Sequence, residues 1–335
     1  MTRPKVFIAR EIPKKGIDMI SEYYDVEVWD KYQPPPRDVY VEKIKDIDAL
    51  VSLLSDKINR ELLSYAKKLR IIAQYAVGYD NIDVDACTEK GIYVTNTPGV
   101  LSESVADLTI GLILAITRRI VEGDKFVRSG EWERLGTAWH PNLMVGMDLK
   151  GKVLGIVGMG GIGYEVAKRA KVFGMKIIYY DVIRKENVEK ELGVEFYNLE
   201  ELLKVSDVVS LHVPLTKETY HLIGEKELKS MKPTAYLINT ARGPVVDEDA
   251  LYTALKEQWI AGAALDVFKK EPLPKDSKLL ELENIVVTPH IGSAGKETRE
   301  GMAILVAKNL IAFAKGEVPP NLVNKEVTKI TKPGF

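Results

Sequence analysis

Residues 153–181, which read VLGIVGMGGIGYEVAKRAKVFGMKIIYYD, decide the fold of this chain. The apolar run Val153–Val157 contains three β-branched residues and predicts a buried strand. Three glycines follow in G-x-G-x-x-G spacing, namely Gly158, Gly160 and Gly163. Apolar residues then recur at helical spacing over 162–173, and a second apolar run ends on Asp181, 18 residues after the last glycine. The pattern is typical of a strand–turn–helix–strand unit.

Each part of this unit has a chemical reason to bind a dinucleotide. Gly158 permits a tight turn, Gly160 lets a pyrophosphate approach the backbone, and Gly163 lets the helix pack close to the sheet. The helix N-terminus then offers free N–H groups to the phosphates. Asp181 is placed to accept hydrogen bonds from ribose hydroxyls and to repel a 2′-phosphate, which favours NAD over NADP. The glycines alone leave a plain turn without a ligand as the alternative.

Composition sets limits on the class of protein. The length of 335 residues suggests two domains, and a net charge of −1 provides no bulk attraction for nucleic acid or an anionic membrane. The single cysteine, Cys87, excludes an internal disulfide, and no His/Cys cluster has metal-ligand spacing. The longest apolar patch, around 108–116, is about half of a membrane span, and no signal peptide is recognised. We therefore expect a cytoplasmic protein without a metal and without nucleic-acid or membrane partners.

Strands and helices alternate over residues 1–97, which predicts a parallel sheet covered on both faces. Strands are predicted at 6–9, 26–29, 49–54, 71–74 and 92–94, and helices at 16–23, 38–44, 60–67 and 84–90. A long apolar helix is predicted from Ser102 to about residue 120, followed by a looser segment over 121–148. Later strands are predicted at 208–212, 235–239, 261–265 and 285–287. A helix over 296–315 is predicted to return to the first domain.

Two loops of the first domain lie where predicted strands end, which is where open α/β sheets bind ligands. They are residues 53–56 and 76–81. Backbone N–H groups near Val77 and Gly78 could hold a carboxylate, although a simple turn explains Gly78 equally well. In the looser segment, Trp132, Trp139 and His140 indicate either an interface or packing of a surface loop.

Arg242, Glu271 and His290 form a hypothesis for a site that acts on 2-keto acids. The planar fork of Arg suits a substrate carboxylate, and His suits proton exchange near neutral pH. A carboxylate beside the His would orient its ring and raise its pKa. Taken singly, each residue is explained as well by a surface charge or a structured turn. His212, which is followed by Val-Pro, fits a loop that lines a cofactor better than an acid/base.

Eight motifs carry a resemblance to a known family along essentially the whole chain. They are VGYDNID at 77–83, ESVADLT at 103–109, the glycines of 158–163, HVPLT at 212–216, NTARG at 239–243, LDVF at 265–268, EP at 271–272 and TPHIG at 288–292. The chain resembles the D-isomer-specific 2-hydroxyacid dehydrogenases, and within them the archaeal glyoxylate reductase group.

The resemblance implies an α/β fold of two Rossmann-like or flavodoxin-like parallel-sheet domains. A substrate domain of 1–99 and 290–335 would contain an inserted NAD-binding domain of 100–289, with a dimerisation arm at about 101–146. Arg242 would bind the substrate, Glu271 would partner the histidine, and His290 would be the acid/base. Further substrate contacts would come from Leu53, Val77 and Gly78, and from Trp139 of a neighbouring subunit. The implied cofactor contacts are Thr109, Gly158, Gly160, Gly161, Ile162, Gly163, Asp181, His212, Val213, Pro214, Thr240, Ala241, Arg242, Asp266, His290 and Gly292.

The implied reaction is hydride transfer from NADH to C2 of glyoxylate or a similar small 2-keto acid, in a homodimer. Arg184 and Lys185, shortly after Asp181, leave use of NADP(H) open. Hydroxypyruvate reductase and phosphoglycerate dehydrogenase are near alternatives, and phosphite dehydrogenase shares the Arg, Glu and His pattern. Formate dehydrogenases of this superfamily carry Gln in place of Glu271, which argues against that branch. NAD(H)-sensing transcriptional corepressors retain the three residues, but this chain has almost none of their partner-binding tails.

Overall fold

The structure, a computed structural model, describes residues 3–335 and divides the chain into two compact units. The split unit consists of the residues up to 101 together with 294–335, and the inserted unit consists of 102–293. The predicted boundaries after residues 99 and 289 lie two and four residues before these junctions. The chain therefore leaves the split unit once and returns to it near its end.

The split unit contains a five-stranded parallel sheet in the order β2-β1-β3-β4-β5. Its strands are β1 (Lys5–Ile8), β2 (Asp25–Val28), β3 (Ala49–Ser52), β4 (Ile71–Gln74) and β5 (Tyr93–Thr95). The helices that alternate with them are α1 (Lys14–Ser21), α2 (Arg37–Ile44), α3 (Arg60–Ser64) and α4 (Val84–Glu89). All residues of β3 and β4 are buried, as expected for central strands covered on both faces. The predicted alternation is confirmed.

The inserted unit contains a seven-stranded parallel sheet in the order β12-β11-β10-β9-β6-β7-β8. Its strands are β6 (Val153–Val157), β7 (Lys176–Tyr180), β8 (Glu195–Phe196), β9 (Val208–Leu211), β10 (Tyr236–Asn239), β11 (Gly262–Leu265) and β12 (Ile285–Val287). Its helices are α5 (Ser102–Thr117), α6 (Ile120–Arg128), α7 (Glu131–Leu135), α8 (Gly161–Val172), α9 (Glu186–Leu192), α10 (Leu199–Val205), α11 (Glu225–Ser230) and α12 (Glu248–Lys256). The strand order reverses between β6 and β9, which is where such sheets bind ligands.

The segment after α5 differs from the sequence prediction of a looser region. Helix α5 ends at Thr117, and Arg119 adopts a left-handed conformation with φ of 53°. The chain then forms α6 and α7, neither of which contains a buried residue. Helix α6 is amphipathic, so its periodicity was a usable signal, whereas the five-residue α7 is too short to show a period.

The last helix, α13 (Lys296–Ala314), packs against α1 within the split unit. A Cβ atom on Gly16 would lie only 2.8 Å from the carbonyl oxygen of Ala303, so the two helices touch through their backbones. Tyr24, just after α1, donates its buried hydroxyl to the carbonyl of Leu310 at 2.7 Å. The last helix thus belongs to the split unit.

The structure also bears on membranes and metals. Over residues 3–335, no helix has the length and apolar character needed to cross a membrane. Within the same residues, no three His, Cys, Asp or Glu side chains cluster as metal ligands.

Candidate active site

His290 and Glu271 form a hydrogen-bonded pair after the carboxyl ends of β12 and β11. The distance from His290 Nδ1 to Glu271 Oε2 is 2.7 Å, and both side chains are about one third exposed, at 28% and 34%. Glu271 Oε1 accepts the backbone N–H of Phe268 at 3.0 Å. Because both carboxylate oxygens are engaged, the carboxylate fixes the ring orientation of His290 and leaves Nε2 on the other side of the ring.

The backbone of His290 is held in an uncommon conformation by the buried carboxylate of Asp266. His290 has a φ of 54°, a left-handed value that non-glycine residues rarely adopt. Asp266 is fully buried and accepts three hydrogen bonds from neighbouring groups, namely Thr288 Oγ1 at 2.6 Å, the N–H of Ile291 at 2.9 Å and the N–H of Gly292 at 2.8 Å. The N–H of His290 itself donates to the carbonyl of Asp266. One carboxylate thus anchors the loop on both sides of the histidine.

Arg242 follows β10 in a turn that Asn239 holds. Asn239, which is buried, donates its amide to the carbonyl of Arg242 and accepts the N–H of Ala241, at 2.9 and 3.0 Å. The next residue, Gly243, lies against the chain after β11, since a Cβ there would sit 1.9 Å from the carbonyl carbon of Phe268. Only glycine permits this approach, which brings the Arg242 turn next to the segment that carries Glu271.

The surroundings of His290 and His212, the two histidines that follow strands, differ in burial and in nearby charge. Burial opposes ionisation of Glu271, but the hydrogen bond and charge of His290, the Phe268 N–H and the charge of Arg242 outweigh it and lower its pKa below the ordinary value. Burial alone lowers the pKa of His212 to about 3. His212 is therefore neutral near pH 7, and its buried Nδ1 has no hydrogen-bond partner among residues 3–335. A neutral imidazole does not serve as the acid in a reduction near neutral pH, whereas His290 keeps a carboxylate partner.

The glycine-rich turn has the shape that a pyrophosphate requires. Gly158 has a φ of 99°, and a Cβ there would lie 2.7 Å from the His212 carbonyl oxygen. A Cβ on Gly163 would lie 2.2 Å from the Gly158 carbonyl oxygen, whereas a Cβ on Gly160 would meet no atom within 4 Å. Two glycines thus permit close packing, and the third leaves open space before the N-terminus of α8. The first N–H groups of that helix have no intrahelical partner, so these residues fit a dinucleotide phosphate.

Asp181, directly after β7, is hydrogen-bonded to the glycine-rich turn. Its Oδ2 accepts the N–H of Met159 at 2.9 Å, and its Oδ1 accepts the N–H of Ile183 at 3.1 Å. Each carboxylate oxygen retains a further lone pair for a ribose hydroxyl. The carboxylate therefore orders the glycine turn and still offers acceptors.

The remaining predicted cofactor contacts of the inserted unit lie in loops after the same strands, at the start of α8 or within α5. Thr109 on α5 and Thr240 after β10 are both buried, and their hydroxyl oxygens are 3.0 Å apart. The carbonyl of Gly292 accepts the hydroxyl of Ser104 at 3.1 Å. The others are Gly161 and Ile162 at the start of α8, Val213 and Pro214 after β9, and Ala241 after β10.

The predicted substrate loops of the split unit form a network of their own. Asn81 donates to the carbonyls of Leu53 and Asp56 at 3.0 and 2.8 Å, and Gln74 donates to the carbonyl of Gly78 and to Asn81 Oδ1 at 3.2 and 2.8 Å. The carbonyl of Val77 accepts the side-chain amide of Asn96 at 2.8 Å. The carbonyls at 77 and 78 are thus occupied, while the N–H groups there have no partner in the described part of the chain. That arrangement offers donors to an anion.

Trp139 lies beyond α7 in the inserted unit. Its side chain is 74% exposed, and its carbonyl accepts the hydroxyl of Thr137 at 3.0 Å.

Sequence reasoning gave no role to Asn239, although a pattern pointed to it. Asn239 accepts the N–H two residues later, which is the turn that Asn forms with its own backbone. An Asn at the end of a predicted strand, three residues before the candidate Arg242, is therefore a usable signal. The bond from Arg10 to Asp56 in the split unit, 46 residues apart, had no comparable signal.

Comparisons with known proteins identify the family of this chain. Residues 110–292 match the family model described as D-isomer specific 2-hydroxyacid dehydrogenase, NAD binding domain. The chain belongs to the D-isomer-specific 2-hydroxyacid dehydrogenase family. It is an NAD(P)-dependent oxidoreductase of that family, and its inserted unit is the NAD-binding domain.

Relatives are similar over the full length of the chain. A glyoxylate reductase of Thermococcus litoralis is 62% identical, covering 99% of this chain and all of that one, and one of Korarchaeum cryptofilum is 60% identical, covering 99% of both. Among solved structures, a protein of Thermus thermophilus is 46% identical with a TM-score of 0.88, covering 95% of this chain and 99% of that one. An NADPH-dependent glyoxylate/hydroxypyruvate reductase of Sinorhizobium meliloti in complex with NADP and malonate is 33% identical with a TM-score of 0.83, covering 97% and 98%.

Proposed function

We propose that this dehydrogenase reduces glyoxylate, or a similarly small 2-keto acid, to the 2-hydroxy acid with NADH as the preferred cofactor. The proposal rests on the His290–Glu271 pair, in which Nδ1 and Oε2 are 2.7 Å apart. The charge of Arg242 also lowers the pKa of Glu271. Such a cluster unites an acid, its orienting carboxylate and a cation for a substrate carboxylate. The glyoxylate reductases that are about 60% identical support the choice of substrate.

In the proposed mechanism, the residues of the chain bind the substrate and move one proton. Arg242 binds the carboxylate of the 2-keto acid through its planar guanidinium. When bound, the nicotinamide supplies the hydride that adds to C2. His290 donates the proton on Nε2 to the C2 oxygen, since Nδ1 faces Glu271. Glu271 stays ionised and stabilises the imidazolium before the proton leaves.

The residues that would hold the cofactor and the substrate are part of the proposal. Gly160 and the start of α8 would bind the pyrophosphate, and Asp181 would bind the adenosine ribose, which supports NADH over NADPH. The free N–H groups of Val77 and Gly78, with Leu53, would add donors and shape for a small carboxylate substrate. Asp266 would act by positioning the His290 loop.

The experiment that tests the proposal is a panel assay of NADH and NADPH oxidation. The substrates are glyoxylate, hydroxypyruvate, pyruvate and 3-phosphohydroxypyruvate, each as a matched concentration series. We expect the highest kcat/KM with glyoxylate or hydroxypyruvate, and a lower KM for NADH than for NADPH. If none of the four acids is reduced while NADH still binds, the proposed substrate class is wrong.

We also propose that the protein is a cytoplasmic homodimer in which Trp139 reaches the substrate site of the partner subunit. Support comes from apolar side chains exposed on α6, α7 and the following loop, namely Ile120 at 55%, Val127 at 53%, Leu135 at 48% and Trp139 at 74%. Isolated exposed apolar residues are common, but a cluster of them favours an interface. Analytical ultracentrifugation of wild type and Val127→Glu tests the assembly. A monomeric wild type would contradict it.

A further inference from the structure

A hydrogen-bonded network holds the turn that follows Asp181, the residue predicted to bind the ribose. Arg184 donates Nε and Nη2 to the two oxygens of Glu189 on α9, at 2.9 and 2.8 Å. The Tyr179 hydroxyl donates to Glu189 Oε1 at 2.7 Å and accepts the backbone N–H of Lys185, also at 2.7 Å. Both oxygens of Glu189 are therefore occupied by donors from the turn, and the guanidinium of Arg184 is held in a bidentate pair.

The burial and charge of this network keep the pair intact under ordinary conditions. The side chain of Glu189 is 17% exposed and that of Arg184 is 58% exposed. The hydrogen bond from Arg184, followed by that from Tyr179, lowers the pKa of Glu189 to about 2. Glu189 is thus ionised throughout the neutral range and remains a strong acceptor for the guanidinium.

The position of Arg184 gives this pair a consequence for cofactor choice. In this type of domain, an arginine near the end of the second strand accommodates the 2′-phosphate of NADP. Arg184 lies three residues after Asp181 and four after the end of β7. Because Nε and Nη2 are engaged with Glu189, Arg184 must leave that pair before it can offer the same two parallel donors to a phosphate.

We propose that Glu189 is a specificity-determining residue for the cofactor, because it withholds Arg184 from a 2′-phosphate. Discrimination against NADP(H) then has two carboxylate components. Asp181 acts by direct repulsion beside the ribose, and Glu189 acts by engaging the nearest arginine. This inference rests on the proposed function, since it concerns the cofactor of the same site.

The test measures binding of the oxidised dinucleotides without turnover. Dissociation constants for NADP⁺ and NAD⁺ are determined by isothermal titration calorimetry on wild type, Glu189→Gln, Arg184→Gln and the double variant. Gln keeps the size of Glu189 and still accepts from Tyr179. We expect Glu189→Gln to bind NADP⁺ about tenfold more tightly and NAD⁺ within about twofold of wild type. Arg184→Gln alone should change NADP⁺ binding by less than about twofold, and the double variant should lose the gain.

Glu186→Gln is the matched control for the loss of a negative charge. Glu186 is on the same helix and its charge acts on Arg184, but it makes no hydrogen bond to that side chain among residues 3–335. We expect it to change NADP⁺ binding by less than about twofold. Lys185 is left unchanged in every variant, so its charge contributes equally to all comparisons.

Three outcomes would overturn the inference. Equal gains in Glu186→Gln and Glu189→Gln would assign the effect to net charge. Unchanged NADP⁺ binding in Glu189→Gln, or a loss of NAD⁺ binding in it, would assign Glu189 to the shape of the turn alone. In each of these cases wild type still binds NAD⁺ and the proposed function stands. Failure of wild type to bind either dinucleotide would instead refute the proposed function itself.

Discussion

Two buried aspartates, one in each unit, hold loops at strand ends that are proposed to bind ligands, and their charges are compensated in different ways. Asp56 in the split unit is 1% exposed and pairs with Arg10 at 2.6 Å, while it also accepts the Leu53 N–H at 2.7 Å. Asp266 in the inserted unit is fully buried and is compensated by neutral donors, namely Thr288 Oγ1 and the N–H groups of Ile291 and Gly292. The first loop depends on an ion pair and the second on oriented dipoles.

The difference matches what each loop carries. Neutral donors from three positions fix a backbone conformation, which a reacting side chain in the left-handed region needs. A single cation instead ties a loop to one place, here the end of β1, where Arg10 also donates to the carbonyl of Ala9 at 3.0 Å. We infer that neutral donors alone fix the backbone around His290, whereas the Leu53 loop combines the Arg10 ion pair with hydrogen bonds from Asn81.

The largest expected effect is on turnover in His290→Ala. Loss of the proposed acid should lower kcat by about 10³-fold, since general acid catalysis contributes about 10² to 10⁴. NADH affinity should change by less than about threefold, because the glycine turn and Asp181 are unaffected. Steady-state kinetics and NADH fluorescence titration measure the two quantities. Equal losses of kcat and of NADH affinity would refute the role assigned to His290. The rigid loop around Asp266 would then have no catalytic group to position.

The next largest effect is expected for Asp266→Ala, which removes the carboxylate that is held by neutral donors. Three donors would lose their acceptor in a buried place, which should lower the free energy of unfolding by about 3 kcal/mol. The His290 loop should then relax, and kcat should fall by about 10²-fold. Chemical denaturation and kinetics provide the measurements. Asp266→Asn, which keeps an acceptor oxygen, is the control and should lose less of each; identical losses would show that the charge and not the geometry matters.

Asp56→Ala removes the ion pair with Arg10 and should lower stability less than Asp266→Ala does. It would leave Arg10, whose side chain is only 13% exposed, with the Ala9 carbonyl and the Ser55 hydroxyl but without a charged partner. The free energy of unfolding should fall by about 2 kcal/mol, less than the roughly 3 to 5 kcal/mol expected for a buried charge left with no partner. Since the loop is proposed to bind substrate only, KM for glyoxylate should rise while kcat changes little. The double variant Arg10→Met with Asp56→Leu should recover part of the stability. If it is less stable than Asp56→Ala, the ion pair is not what holds this loop.

The sequence predicted the fold well where burial imposes a period. The strands of both sheets were predicted from apolar runs, because parallel strands are covered on both faces. Helix α7 and the two-residue strand β8 were missed because they are too short to show a period, whereas α6 was missed although it is amphipathic. The return of the last helix to the first domain was predicted, but its contact with α1 through Gly16 and Ala303 had no signal in either segment alone.

The candidate site shows the same limit at the level of single residues. Arg242, Glu271 and His290 were predicted because each has a reactive or charged side chain at or after a predicted strand end, and their catalytic roles remain predictions. The positioning roles of Asn239, Gly243 and Asp266 were not found, because they depend on contacts that only the folded chain makes. Pairing across 46 residues, as between Arg10 and Asp56, depends on strand order, which local sequence does not contain.

The carboxylate of Glu271 has both a side chain that can carry charge, His290, and a neutral donor, the Phe268 N–H, as partners. Its contribution to stability should therefore depend on pH, and this is the smallest of the expected effects. Its pKa in the folded protein is lowered from the ordinary value of 4.5, so the folded state binds fewer protons than the unfolded state as the pH falls through that region. The stabilisation is therefore present above about pH 4.5 and is lost as the pH falls through the lower folded value. The difference in unfolding free energy between wild type and Glu271→Gln should shrink as the pH falls below about 4.5. Denaturation curves from about pH 3.5 to 5.5 measure it, with the exposed Glu283→Gln as control. A difference that does not change over this range would mean that neither His290 nor the Phe268 N–H favours the ionised carboxylate, because either one would lower its pKa.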